Sequence, residues 1–138
     1  MDLSSPPMDG ITELLVKIIQ FTQARQKLLM QNINNIHSPA FQPKDLAVDQ
    51  FSRLLNQAVM EYAASNRLVF RDTANITFGS NGSFQARPLA DEQSKALLEK
   101  DQAAYLQLQV DRMLENALNG RLATEMLSQR DAATPVQE

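Results

Sequence analysis

From Ile11 onward, apolar residues fall at Ile11, Leu14, Leu15, Ile18, Phe21, Leu28, Leu29, Ile33 and Ile36. Steps of three and four residues put them on one face of an α-helix. The spacing predicts a helix of about 25 residues, roughly 38 Å long at 1.5 Å per residue, with Ser5 or Asp9 as its N-cap. Thr22, Arg25 and Asn32 interrupt the apolar seam, and polar groups at such positions fix register and partner number at a cost in stability. The helix must stop before Ser38-Pro39, because the residue ahead of a proline is pushed out of the α region.

Pro39 and Pro43 bracket an extended segment, and Asp45 to Met60 carries a second amphipathic pattern: Leu46, Val48, Phe51, Leu54, Leu55 and Val59. Leu68-Val69-Phe70 favours a short strand, and the stretch ITFGSNGSFQA from Ile76 reads as a β-hairpin. A three-residue loop Ser80-Asn81-Gly82 sets Phe78 opposite Phe84 and Ile76 opposite Ala86, gathering the large apolar groups on one face. Pro88 closes the hairpin. From Asp91 to about Gln129 no proline intervenes, and a long helix is expected. Its apolar seam is Leu98, Leu106, Val110, Met113, Leu114, Ala117, Leu118, Leu122, Met126 and Leu127. Asn119-Gly120 interrupts it, with a cost of about 1 kcal/mol at the glycine and an expected kink.

The chain therefore reads as mainly α: long N- and C-terminal helices pairing as a coiled-coil-like hairpin, with a short irregular β-hairpin insert. The expected segments are a disordered 1–8, then 9–62 for the first helix, its turn and the second helix. The insert spans 63–90, the C-terminal helix 91–130, and a disordered tail 131–138. A two-helix hairpin buries little surface by itself, so the terminal helices are expected to complete their core against neighbouring subunits. Leu14, Ile18, Leu29, Val110, Met113 and Ala117 are the residues assigned to that shared seam.

Composition narrows the chemistry. A net charge of −3 with 13 dispersed basic residues argues against nucleic acid, whose phosphates call for clustered Lys and Arg. Aromatic residues make up 6% and Trp is absent, which disfavours a large aromatic-lined pocket for a small-molecule substrate. With no cysteine and a single histidine, thiolate and histidine metal sites lack ligands. His37 beside Ser38, with Asp45 seven residues on, lacks the rigid scaffold that a Ser-His-Asp relay needs. No phosphate-cradling glycine pattern occurs, and paired acids such as Asp91/Glu92 lie where carboxylates favour a helix start. No enzyme and no cofactor is expected. Neither a signal peptide nor a membrane span is read at the N-terminus, because the run Ile11 to Phe21 is broken by Glu13, Lys17 and Gln20.

The stretch NINNIHSPAFQPKD, Asn32 to Asp45, carries the specific signal. It resembles the N-terminal motif of the bacterial flagellar axial proteins, the rod, hook and hook-associated family, which runs approximately N-I-A-N-A-[ND]-T-P-G-[YF]-K-A-R-D. Asn32, Ile33, Asn35, Pro39, Phe41 and Asp45 match, and Ser38 stands for Thr. Asn34, Ile36 and His37 depart, and Ala40 replaces the usual glycine, removing the backbone freedom glycine gives. The short length and the segment ENALNGRLATEMLSQR, from Glu115, are similar to the proximal-rod type within that family. The resemblance implies a structural subunit that self-assembles through its terminal helices, joins rotor, membrane ring and export gate to the distal rod, and transmits torque. It implies other rod proteins, membrane-ring and export-gate proteins as partners, and export from the cytoplasm into the periplasm-spanning basal body without a cleaved signal. Asn32 and Asn35 are expected to cap the end of the first helix, Pro39 to enforce its stop, and Phe41 to anchor the extended segment. The alternative is a helical binding module, such as a cytoplasmic export chaperone or adaptor, forming a closed dimer.

Overall fold

A computed structural model describes residues 9–79 and 83–133; the expectations for 1–8, for the loop 80–82 and for 134–138 lie outside the described residues. The first helix, α1 (Gly10–Asn34), begins at Asp9, whose carboxylate accepts from Thr12 N at 2.8 Å. A two-residue strand β1 (Lys44–Asp45) leads into α2 (Val48–Ser65), which closes on Asn66 in the left-handed region. Strands β2 (Ile76–Thr77) and β3 (Gln85–Ala86) pair antiparallel, and β4 (Leu89–Ala90) pairs antiparallel with β1. Two helices complete the described residues, α3 (Glu92–Lys100) and α4 (Gln102–Ala133).

The two long helices α1 and α4 pack antiparallel along their length. Their contacts run from Asn32/Gln109 through Thr22/Asn116 to Asp9/Arg130. The hairpin register is the expected one, with Ile76 opposite Ala86 and the Phe78 and Phe84 rings edge to face at 5.8 Å.

Far from being peripheral, the insert fills the core. Ile76 and Phe78 join Phe21, Leu46, Phe51 and Leu54 in one buried cluster. Phe21 stacks on Phe51 at 4.0 Å and Phe70 on Phe78 at 4.8 Å, and such pairs add roughly 0.5–1.5 kcal/mol beyond their area. Five of the six phenylalanines thus sit together at the junction of α1, α2 and the hairpin. The hairpin is tied to α1 by Lys17, which donates to Phe78 O at 2.9 Å from a buried position.

Four expectations are corrected. Leu68 to Phe70 forms no strand; Phe70 spends its side chain on the Phe78 ring instead. The C-terminal helix is broken at Asp101, which is extended (φ −153°, ψ 94°) and separates α3 from α4. It also continues to Ala133, past the expected end near Gln129. Finally, Asn119-Gly120 does not interrupt α4. A Cβ at Gly120 would meet Thr22 Oγ1 at 2.8 Å and Thr22 Cβ at 3.2 Å, so the glycine permits close approach of the two long helices.

Replacing Gly120 by Ala is therefore expected to lose about 1 kcal/mol of stability. The overpacking penalty of roughly 1–3 kcal/mol outweighs the gain of about 1 kcal/mol in helix propensity. Urea midpoints of G120A, T22A and the double variant check this: the double variant should recover most of the loss, because truncating Thr22 makes room for the new methyl.

Candidate functional site: the motif turn and its polar hub

Asn35 ends α1 as expected: its backbone N–H reaches Gln31 O and its Nδ2 donates to the same carbonyl at 2.9 Å. Ser38 Oγ in turn donates to Asn35 Oδ1 at 3.1 Å. Ile33 is half-buried on the last turn. Pro39 does not stop the helix, which has already ended at Asn34; it sits exposed in the following turn. Ala40 holds a positive φ of 60°. That is the left-handed conformation that a glycine adopts at low cost, and alanine reaches it at a penalty of roughly 1–2 kcal/mol. Phe41 lies half-buried, facing a hollow that Leu28 and Gln31 of α1 also line.

Asn32 does not cap the helix. It is 1% exposed and turns inward to bind the chain that follows. Its Nδ2 donates to Lys44 O at 2.8 Å and to Gln109 Oε1 at 2.9 Å, while its Oδ1 accepts from Lys44 N at 3.2 Å. The Asn32 carbonyl accepts from the Tyr105 hydroxyl at 2.7 Å. One amide thus copies the backbone pairing of a strand, locks β1 to α1 and fixes the height of α4. The geometry follows from sequence: Asn32 lies on the same face of α1 as Leu29 and Arg25, three and seven residues back.

A second polar layer adjoins it. Arg25, buried between Phe21 and Leu29, grips Asp45 with two bonds, Nε to Oδ1 and Nη2 to Oδ2, both 2.9 Å. Paired forks of this kind carry geometric specificity as well as energy. Arg112 of α4 approaches Asp45 Oδ2 at 3.5 Å, pairs with Asp91, and donates to Ser94 Oγ at 3.1 Å. Asp91 caps α3 through Ser94, and Gln109 Nε2 donates to Ser94 Oγ at 2.8 Å. Burial pushes the Asp91 carboxyl up, but the hydrogen bonds from Ser94 and Arg112 prevail and hold it below the usual carboxylate value. Burial, with the Asp91 charge adding to it, pushes the Tyr105 hydroxyl up to about 12.

Of the residues assigned from sequence, Asn32 and Asp45 belong to this hub, and Asn35 and Ser38 shape the turn beside it. His37 is exposed, while Ser38 is committed to Asn35 and Asp45 to Arg25, so the three do not form a relay. Asp91 caps a helix start as its position led one to expect, but Ser94 beside it was missed, and so were Tyr105, Gln109 and Arg112 of α4. Their signal was polar residues at helical spacing, 105, 109, 112 and 116, inside a helix judged by its leucines.

The same spacing decides where the residues assigned to the seam lie. Leu14 and Leu29 are buried and Ile18 half-buried, but Val110 and Ala117 are exposed and Met113 is half-buried. The face that α4 turns to α1 is Tyr105, Gln109, Asn116 and Ala123, all buried. Asn116 donates to Thr22 O at 2.8 Å and to Gln26 Oε1 at 2.9 Å. Thr22, Arg25 and Asn32, expected to govern subunit pairing, find partners within the chain. Leu114 and Leu118 consequently point away, 61% and 67% exposed. On the other side, Leu15, Ile18, Val48, Leu55, Leu122 and Met126 line an open groove of about 320 Å³ between α1, α2 and α4.

Asn32→Ala should lower the unfolding free energy by about 3 kcal/mol, since Gln109 Oε1 and both Lys44 backbone groups lose a partner in a buried site; urea denaturation measures it. Ala40→Gly should raise stability by about 1 kcal/mol, because the left-handed backbone is released from its Cβ penalty at a smaller cost in chain entropy. The same titration reads the opposite sign. Comparisons of the chain with protein-family models, with curated proteins and with solved structures found no match.

Proposed function

We propose that this chain is a structural subunit of the bacterial flagellar proximal rod, working by packing and not by catalysis. It uses no cofactor and takes no small-molecule or nucleic-acid substrate. The observation that carries the reading is the outward apolar stripe of α4, Val110, Leu114 and Leu118, on a helix whose inner face is already satisfied by polar partners. Contiguous exposed apolar side chains mark interaction surfaces, and one stripe along a terminal helix suits coiled-coil-like packing against the next subunit. The stripe and the groove beside α2 are different surfaces. Contacts between unlike patches are heterologous and build open-ended filaments. The motif turn supports the reading too: Asn32, Asn35, Ser38 and Asp45 hold one end of the hairpin in a fixed shape, as a torque-bearing subunit requires. In this reading the chain reaches the basal body by the flagellar type III export route, and its partners are rod, membrane-ring and export-gate proteins.

A second reading, a helical binding module such as an export chaperone or adaptor, draws on the groove, whose apolar walls from α2 and α4 would admit a partner helix.

Sedimentation of the purified chain separates the two. The rod reading expects concentration-dependent, open-ended association, strengthened by flagellar rod subunits and abolished in L114E/L118E. Circular dichroism of that variant should match the parent, since both leucines are exposed. A closed dimer that survives both substitutions would sink the rod reading and favour the chaperone.

A further inference from the structure

Two surfaces of the chain are apolar and open, and their dimensions match. The first is the outward stripe of α4, in which Val110, Leu114 and Leu118 follow one another at four-residue steps. Arg121 stands two turns beyond Leu114 on the same face. Its side chain is 79% exposed and pairs with Glu125, one turn further on, at 3.2 Å. An exposed pair of this kind adds little to stability, so the guanidinium can exchange one carboxylate for another.

The second surface is the groove of about 320 Å³ between α1, α2 and α4. Leu15 and Ile18 of α1 form its floor, Val48 and Leu55 of α2 one wall, and Leu122 and Met126 of α4 the other. Its width is fixed from within. The Phe21–Phe51 stack props α2 away from α1 at one end. At the other end Tyr62 lies over Gly10, where an added Cβ would fall 2.5 Å from its ring. A groove formed in advance asks little reorganisation of what enters it. One unpaired charge stands at its mouth. Glu115 lines the groove, is exposed, and makes no hydrogen bond or ion pair among the described residues.

Along α4 the groove runs from Glu115 to Met126, and the stripe with its arginine runs from Val110 to Arg121; each covers about 17 Å of helix. Both surfaces carry their charge at one end and apolar side chains along the rest. Laid in opposite directions, the arginine of the stripe meets the carboxylate of the groove. Laid in the same direction, Asp111 comes beside Glu115 and like charges face each other. We propose that the groove receives the stripe of a second copy, with the two α4 helices antiparallel. Leu114 of the entering copy then fits between Leu55 and Leu122, Val110 lies toward Met126, and Arg121 pairs with Glu115. Stripe and groove are unlike patches present on every copy, so the array stays open. This contact rests on the stripe being the packing surface, as read above, and names what it packs against.

Sedimentation of the full chain tests the pairing by charge reversal. Glu115→Arg and Arg121→Glu should each raise the concentration needed for association roughly tenfold, since either brings like charges together. An equimolar mixture of the two variants should return to within about threefold of the parent, because each offers the charge that the other lacks. The double variant E115R/R121E should recover in the same way. Both sites are exposed, so circular dichroism of every variant should match the parent. If the single reversals change nothing, or if the mixture and the double variant fail to recover, the groove does not receive the stripe. Loss of association in L114E/L118E would in that case still support packing through the stripe, so the two failures are told apart. Association untouched by L114E/L118E, or a parent that stays monomeric at every concentration, overturns both.

Discussion

The fold hangs on the side chain of Asn32. At one point in the molecule, three segments distant in sequence must agree in height and angle: the end of α1, the strand β1 and the first turns of α4. Apolar packing alone tolerates small slips between such elements, because dispersion and hydration are non-directional. An amide that bonds both backbone groups of Lys44 and the Gln109 side chain does not tolerate them. Arg25, Asp45, Arg112 and Asp91 extend the constraint outward, so that the ends of α1 and α4 are joined by a chain of directional bonds. Buried polar groups of this kind are costly unless all are satisfied, and here each finds a partner.

Satisfying that network decides what the surface looks like. Because α4 turns Gln109, Arg112 and Asn116 toward α1 and α3, Val110, Leu114 and Leu118 face outward. The aromatic cluster of α2 and the hairpin supplies the apolar core that the two long helices do not provide between them. The chain thus combines a hydrophobic core on one side of α1 with a polar joint on the other, and the exposed stripe of α4 follows from this division of labour.

How much of this was legible in the residues differs by element. The helix from Ile11, the second amphipathic helix and the hairpin register were readable because each rests on local periodicity and turn geometry. Asn35 was readable as a cap for the same reason. Asn32 was misread, since a cap and a tertiary hub present the same asparagine at a helix end, and only the fold brings Lys44 and Gln109 to it. The inward face of α4 was misread because its leucines form a better stripe than Tyr105, Gln109 and Asn116 do. Burial here was settled by hydrogen-bond partners on other elements, which periodicity does not encode. The break at Asp101 was passed over because its local signal is a single aspartate, whose carboxylate accepts from Ala104 N to start α4, with no proline or glycine beside it.

The two poles of the α1–α4 pair are closed by different physics. At the far end from the motif, the joint is the exposed ion pair of Asp9 with Arg130, 2.9 Å apart; at the motif end it is the buried amide hub. Mobile ions reach the first and not the second, since screening acts on charges in contact with water. Salt therefore acts on this molecule as a one-sided lever. It loosens the pole where both long helices begin and end, while the pole that carries the turn stays shut.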